Sequence, residues 1–567
     1  MFDLILRGGT IIDGTGRDRF EGDVAIEGRT IAAVGEVAGR ARREIDARGL
    51  LVTPGWVDLH THYDGQVTWD PHLTPSSWHG VTTCVMGNCG VGFAPVRPGG
   101  EDYLIQLMEG VEDIPGSALA EGISWGWESF PEYLDVLASQ ERSVDVGAQV
   151  PHGALRAYVM GPDRCHDAVP SEAEIEQMCV LTRDALRAGA LGFTSSRTHV
   201  HVGGDGRTVP GTVAGTAEMV RITEMIREVG HGVVEVIDDY LDDEEELRWI
   251  ESFAANTGKA ILISQNPVAA GQKFEAYSKL VRSGWGAGLK IRPQLPGRAQ
   301  GMLMCLESSL HPFVFHPTYQ EQLASLPLPE RVAAMRRTEV RDRLLSEEPA
   351  VDGILHHVVT NYDLFFRVGD TLDYEPPRSE CATAIAQARG VSPQEVVYDL
   401  LLEDEGRRIL YYPSGPYPDY SLDRYRGLLQ YGPMLLTLSD AGAHCGVICD
   451  AGMPTFMLSF WTRDRTRGDT LPLERVVQQL TQDCAETYEL YDRGVLAPGR
   501  LADCNVIDYD ALSLEMPELV YDLPNQGRRF IQRARGYVAT VKSGVVTFEH
   551  GEPTGALPGA VVRGPQR

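Results

Sequence analysis

Hydrophobic residues fall along the chain in two alternating rhythms. Short apolar runs recur near residues 55–60, 81–87, 144–150, 190–194, 232–237, 260–264, 288–292 and 434–439. Between several of them the apolar positions take helical spacing, as from Glu172 to Ala188, Ala217 to Val229 and Glu244 to Ala255. Buried strands that alternate with amphipathic helices are the pattern of parallel βα units. Eight of them predict an α/β fold of the (β/α)8 barrel type.

The two ends of the chain read differently. Leu4-Ile5-Leu6-Arg7, Thr10-Ile11-Ile12 and Val24-Ala25-Ile26 are β-forming runs broken by Gly and Asp. A matching set appears at Cys504-Asn505-Val506-Ile507 and Tyr537-Val538-Ala539-Thr540-Val541. Neither end is long enough to bury a core alone, so the expectation is one small β-sandwich assembled from 1–50 and 497–567. The barrel then occupies 51–496, with a large insertion over about 297–430. That insertion has helical content, as in Pro329 to Leu345, and is expected to form a lid or pocket wall. The connection from Glu101 to Glu141, carrying Trp125, Trp127 and Phe130, is expected to pack over the barrel mouth, and Pro553 to Arg567 reads as a loose tail.

Composition narrows the function classes. A hydrophobic content of 43% and a charged content of 23% belong to a globular protein. A net charge of -29 argues against nucleic acid or an anionic membrane as partner. No apolar run approaches a membrane span, and Met1-Phe2-Asp3-Leu4 opens no signal-peptide pattern. Ten cysteines without paired spacing fit reduced thiols, so the expected compartment is the cytoplasm. The expected partner is a small molecule, with homo-oligomers left open.

In a (β/α)8 barrel the chemistry sits at the C-terminal ends of the strands. The first strand ends in Val57-Asp58-Leu59-His60-Thr61-His62. Side chains two apart on a strand leave the same face, so both imidazoles point together and make half of a divalent-metal site. The second strand runs into Gly87-Asn88-Cys89-Gly90, where glycines allow a sharp turn that displays Cys89. The third ends at His152, the fourth at Arg197, the fifth near Glu235 and Asp238, the sixth at Ser264-Gln265-Asn266 and the seventh at Arg292. The eighth ends in Leu438-Ser439-Asp440. His152 is a candidate substrate contact, and Arg197 and Arg292 are candidates to clamp a substrate carboxylate with paired donors. His199 and His201, in a glycine-rich loop, are given no metal role.

Thr53-Pro54-Gly55-Trp56-Val57-Asp58-Leu59-His60-Thr61-His62, Gly87-Asn88-Cys89-Gly90, Gly189-Ala190-Leu191-Gly192-Phe193 and Ser439-Asp440 together resemble the amidohydrolase superfamily. Within it the chain looks most like the N-acyl-D-amino-acid deacylase (D-aminoacylase) family, over nearly its whole length. The resemblance implies that His60, His62, Asp440 and Cys89 surround a metal site. It also implies two further histidines, on strands five and six, for a more tightly bound zinc. Here the chain departs from the family: Val233 to Asp238 ends without histidine, and Gln265 stands where the other is expected.

The expected chemistry is therefore zinc-assisted hydrolysis of an amide bond. One divalent ion is held by His60, His62 and Asp440, with Cys89 nearby and a second site weak or absent. Manganese or iron is compatible with the same ligand types. Asp440 is the expected proton acceptor. Two alternatives stand beside this reading. One is a hydrolase of the same fold acting on a cyclic amide, a lactone or an activated C–C bond; the other is a binding protein that has lost turnover.

Overall fold

The computed structural model describes residues 1–241, 243–264, 272–415 and 417–567. The two termini build one nine-stranded sheet. Its central seam pairs Leu51–Pro54 antiparallel with Cys504–Ile507, Val52 opposite Val506. Phe2–Ile11, Phe20–Glu27 and Thr30–Gly35 extend it on one side, and Tyr537–Lys542, Val545–Glu549 and Glu552–Pro553 on the other. Leu4, Leu6, Val24, Ile26, Val506, Val541 and Val546 close a separate hydrophobic core on this sheet.

Between the termini, parallel ladders follow one another in chain order. Trp56–Asp58 pairs with Val81–Met86, which pairs with Asp145–Ala148. Val150–Pro151 then begins a six-stranded run through Gly192–Arg197, Val233–Asp238, Ile261–Ser264, Ile291–Leu295 and Leu435–Leu436. Leu438–Ala441 finally pairs in parallel with His60–Thr61, returning the order to the first strand. These strands read as nearly continuous apolar runs because helices cover them, as parallel sheets require. Glu172–Ala188 is typical: Ser171 and Glu174 form a capping box at its start, and Gly189 in the left-handed region stops it.

The insertion brings its own core, including Phe313, Tyr319, Met335, Leu344, Val397 and Tyr398. It folds as helices around a three-stranded antiparallel sheet of Gln300–Met304, Leu410–Ser414 and Phe366–Arg367. Two expectations are corrected here. The C-terminal stretch is docked: Val562 is buried, and the Ala560 N–H donates to Asp145 Oδ1 at 2.7 Å. The seventh strand runs to Leu295 and not to Arg292, because the parallel ladder continues past it, with Pro293 accommodated opposite Ile263 and Gln294 opposite Ser264.

A buried charge cluster joins the terminal sheet to the parallel strands. Lys542 Nζ lies 2.8 Å from both Asp145 and Asp503, and Arg493 Nη1 lies 2.7 Å from Asp145. Burial alone would raise the Asp145 carboxyl, but Lys542 and Arg493 outweigh it and hold it below its ordinary value. Lys542→Met should therefore leave two buried carboxylates short of a partner and cost about 3–5 kcal/mol of stability. Denaturant unfolding checks this, and an unchanged midpoint would contradict it.

Candidate metal centre

The ladder between Leu438–Ala441 and His60–Thr61 brings together residues far apart in sequence. His60 stands opposite Leu438 and Thr61 opposite Ala441, and the His62 N–H donates to the Ala441 carbonyl at 2.7 Å. Asp440 Oδ1 lies 3.3 Å from His60 Nε2 and 3.8 Å from His62 Nε2. Cys89 Sγ lies 3.3 Å from His60 Nε2, as close as the carboxylate. Ligand atoms of His60, His62 and Cys89 all fall within 4.8 Å of one another.

Local sequence explains how Cys89 arrives there. Gly90 has φ 69°, and a Cβ on it would meet the Ser196 amide nitrogen at 2.6 Å, so only glycine fits the turn without displacement. Asn88 locks the turn from inside. Its Nδ2 donates to the Thr61 and Val85 carbonyls at 3.0 Å, and its Oδ1 accepts from Gln149 at 2.8 Å. Cys89 and Asp440 themselves adopt positive φ, 52° and 50°, a strained conformation for such residues that tends to occur where a site demands it.

The surrounding groups are buried and under-satisfied. Among the described residues, His60 Nδ1, His62 Nδ1 and His62 Nε2 have no hydrogen-bond partner. Each such buried group costs about 1–3 kcal/mol if it stays unmet. Burial pushes His60 down to about 3 and His62 well below the usual imidazole range, so both rings are neutral with a lone pair free. Burial also pushes the carboxyls of Asp440, Glu235, Asp58 and Asp64 up to about 7, and that of Glu112 well above its ordinary value. It raises the Cys89 thiol as well. A divalent cation would satisfy the imidazole lone pairs and reverse the penalty on the acids, so this donor set fits a metal ion.

Two carboxylates stand behind the histidines. Glu235 Oε1 lies 3.6 Å from His60 Nδ1 and accepts from Ser264 Oγ, while Oε2 accepts from the Cys89 amide at 3.2 Å. Glu112, the last residue of the helix Glu101–Glu112, places Oε1 3.5 Å from His62 Nδ1 and Oε2 3.6 Å from His444 Nε2. Gln300, from the first strand of the insertion, donates to Asp440 Oδ2 at 2.5 Å. These groups open on a cavity of about 250 Å³, where His201 and His444 also line the wall.

The remaining sequence candidates are placed elsewhere. His152 begins a helix, its Nδ1 2.8 Å from Ser195 Oγ and its Nε2 3.0 Å from Glu218. Arg197 is spent on Glu246 at 2.7 and 2.6 Å and on the Ala214 carbonyl. Arg292 donates to the Pro433 carbonyl and lies over Trp285, since its strand continues three residues further. None of the three lines the cavity, so the expected carboxylate clamp is not assembled by them. Gln265 lies outside the described residues. Sequence reasoning missed Glu112, Gln300 and His444, and set His201 aside with the glycine-rich loop although the structure brings it to the cavity wall. His444 carried a signal, four residues past Asp440 in the same strand-end loop; a glutamate ending a surface-like helix carried none.

The model of the amidohydrolase family matches residues 43–548, and the chain belongs to that family. A D-aminoacylase of Alcaligenes xylosoxydans xylosoxydans is 36% identical over 195 residues, 34% of this chain and 37% of that protein. The N-acyl-D-glutamate deacylase of the same organism is 27% identical, covering 90% of this chain and 88% of its own. Among solved structures, the N-acyl-D-glutamate deacylase from Bordetella bronchiseptica, complexed with zinc and a phosphonate inhibitor, shares the fold. Its TM-score is 0.64 at 23% identity, covering 99% of each chain.

Two outcomes follow for metal binding. Protein purified without chelator should hold close to one divalent ion by elemental analysis, and His60→Ala with His62→Ala should release it. Full occupancy in that double variant would remove these residues from the site. The second outcome concerns pH. Carboxyls raised to about 7 hold protons in the metal-free protein, favouring its folding below roughly pH 4 and progressively less towards neutrality. An entering ion must displace those protons, so its affinity should climb from pH 6 to 8. Equal affinity across that range, measured by competition with a chelator, would contradict the arrangement.

Proposed function

We propose that this chain is a metal-dependent hydrolase of a linear amide, a small molecule of the N-acyl-amino-acid kind, built on a (β/α)8 barrel. The barrel reading is supported by parallel ladders that run in chain order and return from Leu438–Ala441 to His60–Thr61. The proposed division is a barrel over 51–496 with its insertion at about 297–430, and a terminal β domain over 1–50 and 497–567. In this reading His60, His62, Asp440 and Cys89 hold one ion, most simply zinc. The soft thiolate favours zinc over harder cations.

The observation that carries the reading is the posture of Asp440. Its Oδ1 faces both imidazoles while its Oδ2 is pinned by Gln300. A carboxylate so fixed can receive a proton from an attacking water and return it to the departing nitrogen, without turning its side chain. The chemistry that an ion supplies when bound there is Lewis acidity, which makes water more acidic and draws electron density from the scissile carbonyl. Glu235 and Glu112 stand 3.6 and 3.5 Å behind the two imidazoles, where drawing in to hydrogen-bond distance would orient the rings and strengthen them as donors. Gln300 ties the insertion to the reacting side of the site, so substrate binding against the insertion and placement of the base are linked.

Asp440→Asn keeps the shape of the side chain but removes the proton acceptor, and should lower kcat by about 10²–10⁴-fold. Cys89→Ser should weaken metal affinity without emptying the site. A panel of N-acyl amino acids in both enantiomers, assayed with the metal-loaded protein, tests the reaction class directly. An Asp440→Asn enzyme with unaltered turnover would refute the assignment of the base. Hydrolysis confined to cyclic amides or lactones would refute the linear-amide reading.

A further inference from the structure

The strand Gly192–Arg197 runs against the turn that displays Cys89, so close that a Cβ on Gly90 would lie 2.6 Å from the Ser196 amide nitrogen. Alternate side chains on a strand face opposite ways, and here the alternation has two separate uses. Ser195 turns to His152, its Oγ 2.8 Å from Nδ1. Thr194 turns to the Cys89 side. Its hydroxyl donates to the Gly87 carbonyl at 2.5 Å and accepts from the Gly90 amide at 3.2 Å. One side chain thus bridges the two residues that flank Asn88 and Cys89.

The register of the neighbouring ladder adds a second hold. Thr194 stands opposite Glu235 in the parallel pairing of Gly192–Arg197 with Val233–Asp238, and side chains at matched register share a face. Glu235 Oε2 accepts from the Cys89 amide at 3.2 Å. The Gly153 amide donates to the Gly90 carbonyl at 2.8 Å. The ends of the turn and its centre are therefore held by two adjacent strands, and Gly87, Cys89, Gly90, Thr194 and Glu235 are all buried.

This hold governs the thiol because cysteine is short. A single torsion separates Sγ from the backbone, so the side chain has no reach with which to compensate for a shift of its own Cα. Cys89 also sits at φ 52°, a conformation that a non-glycine residue keeps only when its surroundings enforce it. Without the Thr194 hydroxyl, a buried carbonyl and a buried amide lose their partners, and the turn is free to relax. Cys89 Sγ would then leave its place 3.3 Å from His60 Nε2. A β-branched residue suits this position, because its confined χ1 keeps the hydroxyl pointing one way.

Resting on the reading of Cys89 as a ligand of the ion, we infer that Thr194 is a positioning residue of the metal centre. Its hydroxyl bridge from Gly87 to Gly90 sets where the Cys89 thiolate meets the metal.

Cobalt(II)-loaded protein carries the test, because a thiolate on cobalt gives a sulfur-to-metal charge-transfer band that imidazole and carboxylate ligands do not. Thr194→Val keeps the shape of the side chain and removes the bridge. It should weaken that band and lower metal affinity about 10–100-fold, measured by competition with a chelator. Thr194→Ser, which keeps the hydroxyl, should retain both band and affinity. Ser195→Ala deletes another buried hydroxyl on the same strand and should leave the band unchanged. The same Thr194→Val change made in Cys89→Ala protein should cost little further affinity, since the thiol through which Thr194 acts is gone. An unchanged band in Thr194→Val, or an equal loss of affinity with and without Cys89, would overturn the inference. Should Thr194→Val not fold, Thr194→Ala is read in the same way. Wild-type cobalt protein without the band would remove Cys89 from the metal and this inference with it, while the amide-hydrolase reading is judged by its own substrate panel.

Discussion

Negative charge buried without a positive partner is the constraint on which the centre of this molecule depends. Asp58, Asp64, Glu112, Glu235 and Asp440 all lie in the interior, and among the described residues none is paired with Lys or Arg. Two neutral imidazoles sit among them with ring nitrogens that lack hydrogen-bond partners, and the Cys89 thiol lies against one of the rings. A fold tolerates such a cluster only if its acids stay protonated or a cation enters. The contrast with the Asp145–Lys542–Asp503–Arg493 cluster is instructive. There the same depth of burial is balanced by side-chain cations, and the result joins two parts of the structure instead of waiting for an ion.

The backbone makes this imbalance reproducible. Parallel pairing sets Asp440 beside the histidine pair, the Asn88-locked turn sets Cys89 against His60, and the insertion returns Gln300 to the free oxygen of Asp440. Each contact comes from a different region of the chain. The site is therefore a readout of correct pairing between the first and last strands of the parallel series, while the terminal sheet is tied to that series through Lys542 and Asp145.

Much of this was legible in the sequence, for identifiable reasons. His60 and His62 follow an apolar strand at a spacing that has one geometric meaning, and Gly87-Asn88-Cys89-Gly90 announces its turn. The helix over Glu172–Ala188 declares both its cap and its stop. What failed depended on depth along a strand or on contacts across the fold. Arg292 closes the apolar run 288–292 and so reads as a strand end, yet the ladder continues to Leu295 and leaves the guanidinium over Trp285. Arg197 does stand at a strand end, but Glu246, on the helix Glu244–Thr257 that follows the neighbouring strand, claims it. Glu112 had no local pattern at all; only the packing of its helix over the site gives it His62 and His444 as neighbours.

Anomalous diffraction at the zinc edge, from crystals of protein loaded with a single equivalent of zinc, tests the central claim most directly. The account predicts one strong peak enclosed by His60, His62, Asp440 and Cys89, with Glu235 and Glu112 behind the imidazoles. A peak at any other set of residues, or two strong peaks bridged by Cys89, would contradict it.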